Sequence, residues 1–217
     1  VDFDDDYKTM DVDFMESVWW VFKQLWEKGR VYKSYRIMPY SAKLATPLSN
    51  FEANQNYKDV QDPAITVRFE VVDGAERVLP GGGGGRLFLT AWTTTPWTLP
   101  SNLALCVGPA IEYALVEDLE SGDRLVFAAA RIAAYDAALG EALAAADGDG
   151  VGLAGERYRL LRRLPASDLV GLRYAPLFPY FADEPGAFVV LQDDFVTTED
   201  GTGLVHIAPA YGEDDFR

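Results

Sequence analysis

Apolar side chains recur at three- and four-residue intervals between positions 11 and 29, and this spacing predicts an amphipathic helix that ends at Gly29. Trp19 and Trp20 are adjacent on this helix, a pairing typical of a packed core. Residues 35–41 are predicted to be extended and residues 46–50 to form a turn. The apolar stripe consists of Phe14, Met15, Val18, Trp19, Phe22, Leu25 and Trp26.

From about residue 61 the pattern changes to short apolar runs separated by turn residues, which is typical of β-strands. Strands at this spacing favour a barrel or a sandwich. The alanine-rich stretch 128–146 predicts a helix interrupted at Gly140. One helix and a few extended pieces are too little for residues 1–60 to form a self-sufficient domain. The predicted strands are 65–72, 87–92, 103–107, 113–116, 125–128, 187–191, 195–197 and 204–207.

The length, hydrophobic content and cysteine and histidine counts of the chain limit the classes of protein to which it can belong. A chain of 217 residues that is 49% hydrophobic can bury a real core. No apolar run approaches the roughly 18 to 20 residues that cross a bilayer, so we expect a soluble, intracellular protein. Cys106 is the only cysteine and His206 the only histidine, which excludes an internal disulfide and an ordinary structural zinc site. The glycines at 81–85 are expected to form a flexible loop, because no Gly-Lys-Ser/Thr sequence follows them as in a phosphate-binding loop.

The net charge of -15, from 19 basic and 34 acidic residues, argues against a surface that binds nucleic acid by bulk electrostatics. Any contact with RNA must therefore be local. One basic cluster could provide it, or could equally be a solvated charged face. The cluster consists of Arg157, Arg159, Arg162 and Arg163.

Two segments carry the candidate chemistry. In residues 93–102, four threonines and Asn102 offer donors and acceptors for a ribose or an ester. Three consecutive threonines cannot all face one side of a strand, and Pro96 ends regular pairing, so some of these polar groups are left for a ligand. Each threonine taken alone could equally be a strand former.

The second segment, residues 201–215, contains His206 and an acidic cluster between turn residues. His206 could be a general base, a pocket wall or a structural residue. Glu213, Asp214 and Asp215 could form a solvated turn, or one of them could pair with an ammonium group. Since no Gly-x-Ser-x-Gly motif is present, water is the expected nucleophile. The residues alone support a pocket for a small cation that carries an ester or a ribose.

Together, Trp92-Thr-Thr-Thr-Pro-Trp-Thr-Leu-Pro100 and residues 201–215 resemble the editing site of the isoleucyl-tRNA synthetases of the eukaryote-like type. Leucyl and valyl relatives carry arginine where this chain has Thr95. Residues 1–60, including Met15-Glu-Ser-Val-Trp-Trp20 and Thr46-Pro-Leu-Ser-Asn50, resemble the catalytic-domain segment that precedes the editing insertion. The His-x-Gly-His and Lys-Met-Ser-Lys-Ser motifs of class I activation sites are absent, so this fragment should not charge tRNA.

The resemblance implies a mixed α/β fold, with a barrel-like editing domain and peripheral helices at 61–217 after a catalytic-domain segment at 1–60. It implies hydrolysis of valine wrongly esterified to isoleucine tRNA. The expected partners are that tRNA and the rest of the synthetase chain, without a membrane, in the cytoplasm. No cofactor or metal is expected for editing; ATP and magnesium belong only to the full-length enzyme.

The resemblance also implies roles for individual residues. Asp215 would bind the α-ammonium group, and His206 would form the wall of the side-chain pocket. Asn102 would help to place substrate or water. Thr93, Thr94 and Thr95 would line the ester and the terminal adenosine, and Trp97 and Thr98 would shape the floor. Two alternatives stay open: a fragment that binds the aminoacyl end without appreciable hydrolysis, and a free-standing editing hydrolase.

Overall fold

A computed structural model describes residues 6, 8–79 and 84–216 of the chain. Part of the glycine loop expected at 81–85 lies outside the described residues. The chain divides into two compact units, Val1–Leu48 and Ser49–Arg217. The boundary expected at residue 60 remains a prediction.

The first unit contains the predicted helix, α1, over Val12–Glu27. Strands β1 (Tyr40–Ser41) and β2 (Thr46–Pro47) form a short antiparallel ladder. No residue of α1 is buried, and Trp19 and Trp20 are 68% and 63% exposed. The expectation of a core around these tryptophans is therefore wrong for this unit, because one helix and two-residue strands offer too little surface to cover an apolar stripe.

Most of the regular structure lies in the second unit. Its strands are β3 (Ile65–Asp73), β4 (Leu87–Thr93), β5 (Ala104–Val107), β6 (Glu112–Asp118), β7 (Arg124–Ala128), β8 (Tyr158–Pro165), β9 (Arg173–Tyr174), β10 (Val189–Gln192) and β11 (Leu204–Ile207). Its α-helices are α2 (Asn50–Ala53), α3 (Ala75–Val78), α4 (Ile132–Tyr135), α5 (Ala137–Ala145) and α6 (Glu213–Phe216). Its 3-10 helices are Pro96–Ser101, Ala129–Arg131, Ala166–Asp168 and Pro179–Phe181.

The nine strands form one mixed sheet in the order β11-β5-β10-β9-β3-β4-β7-β6-β8. Two neighbouring pairs, β5 with β10 and β4 with β7, are parallel, and the other pairs are antiparallel. The mixed α/β class is thus confirmed. Among the described strands β11 and β8 end the sheet without pairing to each other, so a closed barrel is not confirmed. The strand predicted at 195–197 is wrong, since these residues lie in a turn and an irregular stretch.

The alanine-rich stretch is helical, but it breaks at Asp136 and not at Gly140. Asp136 has extended backbone angles, and its carboxylate accepts a hydrogen bond from the Leu139 N–H as the N-cap of α5. Gly140 lies inside α5. A Cβ atom there would lie 2.5 Å from the Cβ of Ala133 in α4, so the missing side chain lets the two helices approach.

The core of the sheet orients the loop that precedes β11. Thr202 Oγ1 donates to the carbonyl oxygen of Thr90 in β4 at 2.7 Å, and the buried Tyr113 hydroxyl donates to the Gly203 carbonyl at 2.8 Å. Gly203 has φ +80°, and a Cβ atom there would lie 2.3 Å from the Cβ of Ala128. These contacts hold the start of β11 against the sheet and so fix the position of His206.

Candidate functional site

A cavity of about 560 Å³ lies where β4 ends and β11 begins, a size within the range of small-molecule sites. Its wall includes seven of the eight predicted site residues. The exception is Asn102, which lies behind the wall. The seven are Thr93, Thr94, Thr95, Trp97, Thr98, His206 and Asp215.

The threonine segment changes direction at the end of β4. Thr93 is the last residue of the strand and is 8% exposed, whereas Thr94 and Thr95 are exposed. The Thr95 N–H donates to Thr93 Oγ1 at 3.0 Å, which closes a tight turn before Pro96 begins the 3-10 helix. The strand therefore ends within the threonine run, and Thr94 and Thr95 lie outside the ladder of β4.

His206 is buried against the 3-10 helix. The residue is 8% exposed, and its ring has Nε2 2.8 Å from Thr98 Oγ1 and Nδ1 3.0 Å from Asn102 Nδ2. Burial lowers the pKa of His206, and the charge of Asp215 opposes this shift only in part. The ring therefore favours the neutral form at neutral pH.

Asn102 faces the protein interior and is 4% exposed. Its Nδ2 donates to the carbonyl oxygen of Ala104 at 2.8 Å, and its Oδ1 accepts from the hydroxyl of Tyr174 at 2.7 Å. Sequence reasoning missed Tyr174, which lies 72 residues from Asn102 on the two-residue strand β9. So short a strand carries no alternation that could have revealed this contact.

Asp215 is half-buried and lies in α6, more than a hundred residues after the threonines in the sequence. Its Oδ2 accepts a hydrogen bond from the N–H of Ala208 at 2.8 Å, which ties the helix to the end of β11. Because a carboxylate has two oxygens and several acceptor positions, this bond leaves capacity for a ligand at the cavity.

The basic cluster, of which three arginines lie on β8 and Arg157 lies just before it, is largely neutralised within the chain. Three of its four arginines form ion pairs: Arg159 with Glu117 at 3.1 Å, Arg162 with Asp168 at 3.3 Å, and Arg163 with Glu112 at 2.5 Å. The fourth, Arg157, lies over the ring of Tyr158. Of the two interpretations of this cluster, these pairs disfavour a dedicated RNA-binding patch.

The described part of the chain offers neither a metal site nor a membrane span. No set of three or more histidine, cysteine, aspartate or glutamate side chains is grouped so that it could hold a metal ion. No helix there is long and apolar enough to cross a membrane.

The fold is similar to that of solved editing domains of tRNA synthetases. The crystal structure of GlLeuRS-CP1 matches with a TM-score of 0.51 and 18% identity, over 71% of this chain and 57% of that one. The editing domain of the P. knowlesi cytosolic leucyl-tRNA synthetase matches with a TM-score of 0.50 and 15% identity, over 70% of this chain and 60% of that one. At this identity the likeness concerns the fold alone.

The chain belongs to the class I tRNA synthetases (I, L, M and V), whose family model matches residues 1–200. It is 49% identical to the isoleucine–tRNA ligase of Bdellovibrio bacteriovorus, over 100% of this chain and 18% of that protein. It is 50% identical to the cytoplasmic isoleucine–tRNA ligase of Saccharomyces cerevisiae, over 99% of this chain and 18% of that protein. It is 52% identical to the isoleucine–tRNA ligase of Mycobacterium tuberculosis, over 100% of this chain and 19% of that protein. The chain thus spans about a fifth of the length of these relatives.

Proposed function

We propose that the cavity hydrolyses valine wrongly esterified to isoleucine tRNA, as the editing site of an isoleucyl-tRNA synthetase. The observation that carries this proposal is the convergence of a carboxylate, a hydroxyl-rich turn and a buried histidine on one cavity. An aminoacyl ester presents an ammonium group, a carbonyl, a ribose and a side chain. These four parts are complementary to the groups that line the cavity.

In this proposal Asp215 binds the α-ammonium group through the acceptor capacity that Ala208 leaves free. Thr93, Thr94 and Thr95 lie along the ester and the terminal adenosine. Trp97 and Thr98 form the floor of the cavity, beside the threonine turn.

Hydrolysis proceeds by attack of a positioned water on the ester carbonyl. The free ribose hydroxyl of the substrate assists the attack, and hydroxyl and N–H groups of the threonine turn stabilise the oxyanion. The ester bond breaks, and valine and the free tRNA end are the products. The reaction consumes no cofactor; ATP and magnesium serve only aminoacylation by a full-length synthetase.

Selection between amino acids rests on size. One methylene changes binding by only about 1 to 3 kcal/mol, a limit for which isoleucine against valine on this class of enzyme is itself the standard example. A second site that admits valine and excludes isoleucine by steric contact overcomes this limit. His206 is the residue of the wall that sets this size, because its ring is buried and held at both nitrogens.

The partners in this proposal are isoleucine tRNA mischarged with valine and the rest of a synthetase chain. The relatives in yeast and mouse carry the word cytoplasmic in their names, which supports the cytoplasm as the location.

The experiment that tests the proposal uses a small ester. Valyl-adenosine and isoleucyl-adenosine carry the ester and the terminal ribose but no tRNA body, so they test the cavity without any tRNA docking surface. We expect the 217-residue chain to release valine faster than isoleucine and faster than buffer does. Release at the buffer rate from both esters would contradict hydrolysis at this site.

One observation favours a second candidate, a chain that binds the aminoacyl end without appreciable hydrolysis. The net charge is -15 and three arginines of the basic cluster are already paired, so little positive surface is left to hold a tRNA. Saturable binding of valyl-adenosine without release of valine would support this candidate over the first.

A further inference from the structure

Four buried polar side chains form a continuous chain of hydrogen bonds from the core to the wall of the cavity. The Tyr174 hydroxyl lies 2.7 Å from Asn102 Oδ1, Asn102 Nδ2 lies 3.0 Å from His206 Nδ1, and His206 Nε2 lies 2.8 Å from Thr98 Oγ1. All four residues are at most 8% exposed. Water therefore has little access to these groups, and each must be satisfied by its neighbours.

Two backbone carbonyls, one beside Asn102 and one beside Thr98, determine the direction of every hydrogen bond in this series. Near Asn102, the carbonyl oxygen of Ala104 can only accept, so the amide atom 2.8 Å from it is the NH₂ group. Near Thr98, the carbonyl oxygen of Thr95 accepts the only hydroxyl hydrogen that Thr98 has, at 2.8 Å. The remaining assignments follow from these acceptor-only groups.

The state of the His206 ring follows from its two neighbours. Asn102 presents an N–H to Nδ1, so Nδ1 must accept and carries no hydrogen. Thr98 has already donated its hydrogen, so it must accept from Nε2, which therefore carries one. A doubly protonated ring would place the Nδ1 hydrogen against the NH₂ group of Asn102.

We propose that Tyr174 and Asn102 are positioning residues that hold His206 as its neutral Nε2–H tautomer, so that the ring is a fixed wall of the cavity and not a general base. A general base needs a free lone pair directed at the reacting water. The lone pair of Nδ1 is occupied inside the protein, and Nε2 has none to offer.

Tyr174 acts through Asn102. The hydroxyl of Tyr174 is a donor, because burial raises the pKa of this phenol. Rotation of the Asn102 amide would turn its NH₂ group onto that donor and its oxygen onto the Ala104 carbonyl. The amide is thus restricted to one orientation, and the histidine ring that it contacts is restricted with it.

The tautomer can be read directly, because His206 is the only histidine of the chain. In the chain labelled with ¹⁵N-histidine, we expect at neutral pH one ring whose Nδ1 resonates as an unprotonated nitrogen and whose Nε2 resonates as a protonated one. A ring that carries a proton on Nδ1, whether on that nitrogen alone or on both nitrogens, would overturn the proposal.

Two variants test the positioning role. Tyr174→Phe removes one of the two groups that orient the Asn102 amide and leaves the Ala104 carbonyl as the other, so we expect the Nδ1 signal to shift part of the way towards that of a protonated nitrogen. Asn102→Asp replaces the donor by an acceptor, so we expect Nδ1 to become protonated. Tyr158→Phe is the matched control, since Tyr158 is 3% exposed but lies in a separate core cluster. A Tyr174→Phe spectrum identical to that of Tyr158→Phe would refute the role of Tyr174.

The kinetic consequence rests on the proposed function. A less restricted ring admits isoleucine more readily, so Tyr174→Phe should raise the ratio of isoleucyl to valyl ester hydrolysis about fivefold, which corresponds to the net contribution of one neutral hydrogen bond. An unchanged ratio together with a shifted tautomer would contradict the link to selectivity. If the chain hydrolyses neither ester, the proposed function fails, while the spectrum still decides the tautomer.

Discussion

Replacing Asp215 separates two contributions that its carboxylate makes. One oxygen accepts the Ala208 N–H at 2.8 Å and anchors α6, and the remaining acceptor capacity faces the cavity. Asp215→Asn keeps an oxygen that can accept the same N–H but removes the negative charge. Asp215→Ala removes both. The difference between the variants is the value of the anchor, and the difference between Asp215→Asn and the parent chain is the value of the charge.

The expected magnitudes follow from the surroundings of this carboxylate. A hydrogen bond between charged partners contributes about 1.5 to 3 kcal/mol. Because Asp215 is only half-buried, solvent screens it and the lower end of that range applies. We therefore expect Asp215→Asn to lower kcat/KM for the valyl ester about 10- to 30-fold at unchanged thermal stability. Asp215→Ala should lose about another factor of five, since the buried Ala208 N–H then has no acceptor.

The assay is release of valine from valyl-adenosine under conditions where the rate is first-order in ester, with thermal unfolding of each variant alongside. Wild-type kcat/KM for Asp215→Asn would refute the role of the charge. Equal kcat/KM for the two variants, together with equal melting temperatures, would refute the role of the Ala208 contact.

Two other substitutions give distinct outcomes. His206→Ala should let the cavity hydrolyse the isoleucyl ester, with discrimination reduced by about 10- to 200-fold, the value of one methylene; continued rejection of isoleucine would remove His206 as the size gate. Asp136→Ala should lower the free energy of unfolding in urea by about 3 kcal/mol, because the carboxylate accepts four backbone N–H groups, one of which is the Leu139 N–H that it caps in α5. Burial alone would raise the pKa of Asp136, but these N–H donors outweigh it and lower the pKa. The stabilisation is therefore present above the ordinary aspartate pKa of about 3.9 and is lost as the pH falls through the lower pKa of the folded state. Two results would contradict the assignment: a destabilisation by Asp136→Ala of less than about 1 kcal/mol at pH 7, or a difference in stability between the variant and the parent chain that persists in acid.

Local patterns predicted the parts of the site that are close together in sequence. The end of β4 and the turn after it follow from three threonines and Pro96, because a strand side chain alternates faces and proline cannot continue the ladder. The break at Asp136 could also have been predicted, since aspartate followed by Ala-Ala-Leu is a helix N-cap signal. Helix propensity alone placed the interruption at Gly140 instead.

Long-range relations could not be predicted in this way. Tyr174 meets Asn102 only because β9 lies beside β10, and β10 beside β5, in the sheet. A two-residue strand has no periodicity from which this order could be inferred. For α1, the spacing of apolar residues indicated which face is hydrophobic but not what covers it, and among the described residues of its own unit none buries Trp19 or Trp20.

The most direct test of editing uses the complete substrate. Isoleucine tRNA is charged with valine or with isoleucine, and release of the amino acid by the 217-residue chain is measured, with Asp215→Ala as the control. The account predicts release of valine that greatly exceeds release of isoleucine and that is lost in the variant. Equal release of both amino acids, or release of valine that Asp215→Ala leaves unchanged, would contradict it.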